Sequence, residues 1–204
     1  MRKFMLTVIP IILVVCVACE PPQIPSTVHL EGDSVTFQTY YTQPVPAFHT
    51  SGEFVPGSSA AYNPAGVAAK DRVPEMVTQG KVDTLIWALG PNDIRMAGGQ
   101  WSSTDQWIWY DVLANKVPEE SCIVIVKPWV LEGGWDVFPE QALNDLSAWI
   151  DVFAASHPNV VVEDWKPIIE AHPEYMAADG VHIATYEAAV ARDALYREGV
   201  ARCA

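Results

Sequence analysis

The fold is decided by the stretch Thr27-Val28-His29-Leu30-Glu31-Gly32-Asp33-Ser34, in which strand-forming residues run directly into a Gly-Asp-Ser corner. In a parallel α/β sheet the carboxyl ends of the strands face the ligand crevice, so such a corner puts the Ser34 hydroxyl where chemistry takes place. Residues 35–41 fit the first turns of a helix, which would point its free N–H groups at the same crevice. The simpler interpretation is that Asp33 and Ser34 only cap this helix. Residues elsewhere in the chain distinguish between a reactive serine and a helix cap.

Composition limits the class of protein. The chain has 204 residues, of which 50% are hydrophobic and 10% aromatic, so it can bury one sizeable core and is expected to form one domain. The formal net charge is −13. A phosphate backbone is bound by clustered Lys and Arg, which are scarce here, and nucleic acid is therefore not an expected partner.

The first nineteen residues have the layout of an export signal. Arg2 and Lys3 precede an apolar run over residues 4–18, which contains a proline and is typical of a secretory signal rather than a spanning helix. The run ends in Cys16-Val17-Ala18-Cys19, which resembles the lipobox of bacterial lipoproteins. Lipidation of Cys19 would anchor the protein to a membrane, whereas ordinary cleavage would release it.

This layout predicts three parts. Residues 1–19 form the signal peptide, which is either of the ordinary or of the lipoprotein type. Residues 20–25 form a short proline-rich tether that favours an extended chain. Residues 26–204 form the domain. The protein is expected to be secreted or to reside in the cell envelope, and a lipid anchor is the only membrane contact predicted.

Strand and helix patterns alternate along the domain. Apolar runs predict strands over residues 27–30, 45–49, 83–89, 122–127 and 159–163. Helical patterns cover residues 35–41, 67–77, 104–114, 139–156 and 185–202, and residues 165–175 are irregular or a short helix. The fold class is therefore α/β, with a central parallel sheet of about five strands and right-handed crossovers.

Polar corners follow several of these strands. They are Gly32-Asp33-Ser34, Gly57-Ser58-Ser59 and Gly90-Pro91-Asn92-Asp93, while Asp179-Gly180-Val181-His182 lies just before the last helix. A serine hydroxyl is a weak nucleophile and needs an adjacent base, usually a histidine that a third group orients. Together the corners contain a nucleophile, a base and a carboxylate.

Each candidate residue has a defined task in ester cleavage. The three-residue spacing between Asp179 and His182 lets the carboxylate reach one ring nitrogen while the other faces Ser34. Attack on an ester creates an oxyanion, which needs preorganised donors. The N–H groups of Ser34 and Gly57 and the side-chain amide of Asn92 are the predicted oxyanion hole.

At these residues the sequence resembles the SGNH hydrolases, also called GDSL esterases and lipases. The four blocks of that family contribute Ser, Gly, Asn and His in this order, matched here by Ser34, Asn92 and His182 in the first, third and last blocks. For the glycine of the second block Gly57 fits the expected distance best, with Gly52 and Gly66 as alternatives. The resemblance spans roughly Val28 to the C-terminus. It implies a flavodoxin-like three-layer fold and hydrolysis of small-molecule, glycan or lipid acyl esters by a serine mechanism, without a cofactor.

Two rival functions remain open. The Leu and the later Gly that usually follow the first block are missing, which suggests a non-catalytic surface protein that keeps the fold and binds glycan or a protein partner. A metal-dependent phosphoesterase would use Asp33, Asp93, Asp179 and His182, but no His-x-His or clustered carboxylate spacing supports it, and no metal is predicted.

Aromatic residues in loops can also border the crevice. Three tryptophans in predicted loops are candidates for a substrate wall: Trp101, Trp129 and Trp135. Four further histidines are expected to be structural or exposed: His29, His49, His157 and His172.

Sheet direction predicts a possible disulfide. Cys122 begins a parallel strand and so lies at the face opposite the crevice, and the helix after His182 should return Cys203 to that same face. Exported proteins meet oxidising conditions, in which such a pair can be joined. The alternative is that Cys122 is a buried free thiol.

Overall fold

The structure is a computed structural model that describes residues 27–43 and 45–203. The predicted signal segment 1–19 with Cys19 and the predicted tether 20–25 lie outside the described residues. Within the described part of the chain, no helix is both long and apolar enough to cross a membrane.

One parallel sheet organises the domain. Its strands are β1 (Val28–Gly32), β2 (Ser51–Phe54), β3 (Thr84–Ala88), β4 (Cys122–Lys127) and β5 (Val160–Asp164). They are ordered β2-β1-β3-β4-β5, and every pairing is parallel. Helices flank the sheet, so the predicted α/β fold with a central parallel sheet of five strands is confirmed.

The helices follow the predicted pattern with small shifts at their ends, except α3 (Pro91–Met96), which the sequence pattern did not predict. They are α1 (Ser34–Phe37), α2 (Ala69–Thr78), α3 (Pro91–Met96), α4 (Ser103–Tyr110), α5 (Glu140–Ser156), α6 (Lys166–Ala171) and α7 (Tyr186–Ala201). Single π-helical segments extend α1 to Thr42 and α4 to Lys116, and short 3-10 turns occupy Glu132–Gly134 and Pro173–Tyr175. Apolar residues at helical spacing form a stripe on α5 that faces the core, since Ala142, Leu146, Ile150 and Phe153 are buried.

The prediction of a strand over residues 45–49 is wrong. The edge strand is β2, which pairs with β1 in a register that puts Ser51 beside His29. Thr50 begins this pairing, because its N–H and its hydroxyl both donate to the Val28 carbonyl at 2.9 Å. Residues 45–49 do not form a strand because Pro46 has no N–H to donate to a strand ladder. The true strand was not recognised in the sequence because Gly52 and Glu53 are residue types that are depleted in strands.

Polar residues on β1 are buried in a closed network. His29 lies 2.8 Å from the Ser51 hydroxyl through Nδ1 and 2.6 Å from Glu31 Oε1 through Nε2. Glu31 also accepts a hydrogen bond from Arg72 at 2.5 Å. Because His29 and Glu31 are almost completely buried, this network stabilises the contact between β1, β2 and α2 and has no access to a substrate.

Helix α7 returns the chain to the amino end of the sheet. A disulfide joins Cys122 at the start of β4 to Cys203 just beyond α7, with the Cα atoms 5.8 Å apart. This geometry is within the range that a disulfide requires. The bond in the exported protein stays a prediction.

Candidate active site

A cavity of about 330 Å³ opens at the carboxyl ends of the strands. Its wall includes Ser34 after β1, Asn92 after β3 and Trp129 after β4, together with Asp179 and His182 from the segment before α7. In a parallel sheet these strand ends meet at one edge, which is where ligands bind in open α/β folds. The sheet therefore brings residues from remote parts of the chain to one cavity.

Ser34 stands at the start of α1, directly after the Gly-Asp corner. Asp33 caps this helix, since its side chain accepts the N–H of Val35 at 3.0 Å. A Cβ on Gly32 would come within 2.4 Å of the Thr36 hydroxyl, so the turn from strand to helix has room only for glycine there. The cap predicted for Asp33 is present, and it positions Ser34 at the cavity wall.

Ser34, His182 and Asp179 form a chain of hydrogen bonds. The distance from Ser34 Oγ to His182 Nε2 is 3.0 Å, and His182 Nδ1 lies 2.6 Å from Asp179 Oδ2. With the Nδ1 proton directed at the carboxylate, Nε2 is unprotonated and can accept a hydrogen bond from the Ser34 hydroxyl. The geometry is that of a nucleophile, a base and an orienting carboxylate.

The Asp179 carboxylate is fixed from two sides. Its other oxygen accepts the backbone N–H groups of Val181 and His182 at 2.9 and 3.0 Å. Partial burial acts to raise the pKa of Asp179, but the hydrogen bonds from His182 and the backbone outweigh it and hold the pKa at about 2. The carboxylate is therefore ionised at any ordinary pH and keeps the imidazole in one orientation.

The loop that carries this pair packs tightly on the 3-10 turn after β4. Gly180 has a φ of +67°, and a Cβ there would come within 2.8 Å of Leu131 O and Gly134 N. The Leu131 N–H donates to the Gly180 carbonyl at 2.8 Å. Glycine is required at this position both for its left-handed conformation and for the close approach of the two loops.

Asn92 and Asp93 hold the loop that contains Gly57. The Asn92 amide donates to Ser58 O at 3.0 Å, and Asp93 Oδ1 accepts the Ala60 N–H at 2.9 Å. An amide has two N–H donors, so one donor of Asn92 remains for the cavity that it lines. Burial raises the pKa of Asp93 to about 7. Asp93 therefore connects the segment that carries Asn92 to the neighbouring loop.

The three glycines considered for the second block lie in different places. Gly57, with a φ of +86°, lines the cavity. Gly52 lies within β2, where a Cβ would come within 2.5 Å of the Phe54 ring, and Gly66 lies in an open part of the following loop. Of the three, Gly57 is thus the one whose N–H can serve the cavity.

The tryptophans divide differently from the prediction. Trp129 lines the cavity, and the Lys166 ammonium lies 3.6 Å from its ring centre. Trp101 is buried in a cluster with Trp109 and Trp149, and Trp135 donates its indole N–H to Val130 O, so neither forms part of the cavity wall. Trp165 does line the cavity, although its position after β5 was not identified as a site.

The cavity wall also contains two arginines that the sequence did not predict. Arg95 lies one helical turn after Asn92 on α3, and this spacing could have shown that the two share a face. Arg192 lies on the buried side of α7, where the sequence pattern offers no signal. Within the described residues no group of three or more His, Cys, Asp or Glu side chains is arranged to hold a metal ion.

Comparison with protein-family models and with curated proteins finds no significant match. Solved structures do resemble this one. The C-terminal catalytic domain of peptidoglycan O-acetyltransferase A from Streptococcus pneumoniae has a TM-score of 0.68 at 17% identity, over 89% of this chain and 96% of that one. A lipase/acylhydrolase from Enterococcus faecalis has a TM-score of 0.63 at 17% identity, over 86% of this chain and 96% of that one.

A carbohydrate acetylesterase family member from Sinorhizobium meliloti is also similar, with a TM-score of 0.57 at 18% identity over 86% of this chain and 96% of that one. At such identities the similarity shows the fold. The chain has the α/β fold of GDSL-type acylhydrolases, as the four sequence blocks predicted.

Proposed function

We propose that this protein is an extracytoplasmic serine esterase of the SGNH type, which hydrolyses acyl esters by means of Ser34, His182 and Asp179. The observation that carries the proposal is the continuous hydrogen-bonded chain from Ser34 Oγ through His182 to Asp179 at the wall of a cavity. A helix cap alone would not explain why a histidine 148 residues away in sequence binds the serine hydroxyl.

The reaction proceeds through an acyl-enzyme. His182 Nε2 takes the proton from Ser34 Oγ as this oxygen attacks the ester carbonyl, and Asp179 stabilises the resulting imidazolium. The tetrahedral intermediate collapses when His182 gives the proton to the alcohol oxygen, which leaves with the electron pair of the broken C–O bond. Water then repeats the sequence on the acyl group, with His182 as base and then acid, and releases the carboxylic acid and free Ser34.

The negative oxygen of the intermediate requires donors. The N–H groups of Ser34 and Gly57 and the free N–H of the Asn92 amide are assigned this role. The assignment is supported by the position of all three residues at the cavity wall and by the hydrogen bond that fixes the Asn92 side chain on Ser58.

The proposed substrate is an ester with a short acyl group, preferably acetyl, on a polysaccharide. The limited cavity volume favours a small acyl group. Similar folds include an enzyme named as a peptidoglycan O-acetyltransferase and one named as a carbohydrate acetylesterase. These names support the choice of acetyl esters among the substrates that the fold allows.

The protein is proposed to act outside the cytoplasm as a lipoprotein. Support comes from the signal-like segment 1–19 and the lipobox that ends at Cys19. We expect Cys19→Ala to move the protein from the membrane fraction to the soluble fraction. Unaltered fractionation would contradict lipidation at this cysteine.

Labelling by a fluorophosphonate tests the enzyme mechanism. We expect the mature protein to be labelled at Ser34 and to hydrolyse para-nitrophenyl acetate, with both properties lost in Ser34→Ala. Ser156→Ala, which removes an exposed hydroxyl at the end of α5, is the matched control and should behave as the parent protein.

The same experiment separates the rival functions. Equal labelling of the parent protein and Ser34→Ala would contradict the proposal. Glycan binding without label or turnover would favour a non-catalytic surface protein, and loss of activity in the presence of a chelator would favour a metal-dependent phosphoesterase.

A further inference from the structure

Two guanidinium groups of the cavity wall have no role in the proposed mechanism. Arg95 and Arg192 both line the cavity, although the chain as a whole has a formal net charge of −13. The same wall contains two carboxylates. Asp179 binds His182, whereas Asp33 caps α1 by accepting the Val35 N–H and interacts electrostatically with Arg192. Neither arginine forms an ion pair with a residue of the described ranges 27–43 and 45–203.

Arg192 is a buried cation with an unsatisfied donor. Its side chain is 3% exposed, and its Nε donates to the Tyr196 hydroxyl at 2.9 Å. Its guanidinium carbon lies 5.0 Å from the Trp165 ring centre, but Nη1 has no hydrogen-bond partner in the described part of the chain. A buried donor without a hydrogen-bond partner is costly, so this unpaired N–H in the cavity wall points to an acceptor bound in the cavity.

Arg95 is the accessible cation of the pair. It is exposed on α3, and its Nη2 lies 3.7 Å from the point where a Cβ on Gly57 would stand. The guanidinium is therefore next to the proposed oxyanion donor Gly57, at the outer part of the cavity. A guanidinium in this position can bind a carboxylate through two parallel hydrogen bonds.

We propose that the alcohol part of the substrate ester carries a carboxylate, as an acidic sugar does, and that Arg95 binds this carboxylate at the cavity rim. The inference rests on the proposed esterase function and adds the substrate class. The alcohol part is chosen because Arg95 is exposed, whereas the small acyl group occupies the enclosed part beside Ser34.

A matched pair of esters tests the proposal. One is a para-nitrophenyl acetate that bears a carboxylate on its ring, and the other is the methyl ester of that carboxylate, which is neutral. We expect the parent protein to have the higher kcat/KM for the anionic ester, chiefly through a lower KM, and we expect added salt to reduce this preference.

Substitution of Arg95 is then expected to change the preference. Arg95→Gln should lower the ratio of kcat/KM for the anionic ester over the neutral one about tenfold, as the loss of one charge-assisted contact implies. Arg95→Lys should keep part of the preference. Lys81→Gln, an exposed charge at the opposite end of the sheet, is the control and should leave the ratio at its parent value. An unchanged ratio in Arg95→Gln, or a parent preference for the neutral ester, would overturn the proposal.

Binding without turnover distinguishes failure of this inference from failure of the esterase mechanism. In a Ser34→Ala background, calorimetry with the anionic ester should give a Kd about tenfold lower than in the Ser34→Ala, Arg95→Gln double variant. Equal Kd values in the two proteins would overturn the carboxylate site even if the parent protein hydrolyses neutral esters. If the parent protein hydrolyses neither ester while the two Kd values differ, the esterase function fails and the anion site stands.

Discussion

Replacement of Asn92 by alanine tests whether its amide is an oxyanion donor in addition to a structural hydrogen-bond donor. The Asn92 amide donates one N–H to Ser58 O at 3.0 Å and has a second N–H available for the cavity that it lines. Asn92→Ala removes both. It therefore affects the stabilisation of the oxyanion and the packing of the Gly57 loop at the same time.

The two effects have different sizes. Loss of one preorganised oxyanion donor costs roughly 10²–10³ in turnover, which corresponds to about 2.7–4 kcal/mol of transition-state stabilisation. Loss of the hydrogen bond to Ser58 costs about 1 kcal/mol of folding free energy. For a chain of this size that folding loss lowers the Tm by about 2–4 °C. The rate should therefore fall much more than the stability.

Asn159 offers a control with a matched structural role. Its amide also donates to a backbone carbonyl, that of Ser121 at 2.9 Å, but it lies before β5 at the amino end of the sheet. We expect Asn159→Ala to lose a similar amount of stability and to keep the parent turnover. Turnover of para-nitrophenyl acetate and thermal unfolding, measured on both variants, give the comparison.

Two results would refute this reasoning. If Asn92→Ala retains turnover within about threefold of the parent, its amide does not bind the oxyanion. If Asn159→Ala loses as much turnover as Asn92→Ala, the rate loss reflects general destabilisation of the fold rather than a missing donor.

The remaining predictions concern stability. Burial raises the pKa of Asp93 from 3.8 to about 7. The contribution of Asp93 to the free energy of unfolding is therefore complete below pH 3.8 and is lost as the pH rises to about 7. Denaturant titrations at a series of pH values should show this decline in the parent protein and not in Asp93→Asn. Glu31→Gln breaks the buried pair with Arg72 and should cost roughly 3–5 kcal/mol in urea unfolding, whereas an unchanged midpoint would contradict the role of the network. Thiol titration of the denatured, unreduced mature protein should detect no free thiol at Cys122 or Cys203. Reduction should lower the free energy of unfolding by about 4 kcal/mol in the chain-entropy model. Two free thiols before reduction would exclude the bond.

Local patterns in the sequence determined most of the elements. The strand β4 has the predicted bounds, because an unbroken apolar run of that length suits a parallel strand that is covered on both faces. The stripe on α5 likewise identified a helix and its buried face. The edge strand β2 could not be predicted from the sequence, because its glycine and glutamate do not form such a run. Its pairing with β1 is what makes it a strand.

The candidate nucleophile, base and carboxylate could be chosen from the sequence, because the corners after strands and the Asp-x-x-His spacing carry a chemical requirement. Ser34 and His182 are 148 residues apart, however, and the 3.0 Å contact between them depends on how the loop at Gly180 packs against the turn after β4. The residues of the cavity wall were harder to predict from the sequence, since Arg192 and Trp165 come from a helix and a segment with no local signal for the site. Periodicity and turn chemistry act over a few residues and so determine elements and corners, whereas strand order and loop packing depend on contacts between remote segments. Only the tertiary structure therefore decided which charged and aromatic side chains surround Ser34.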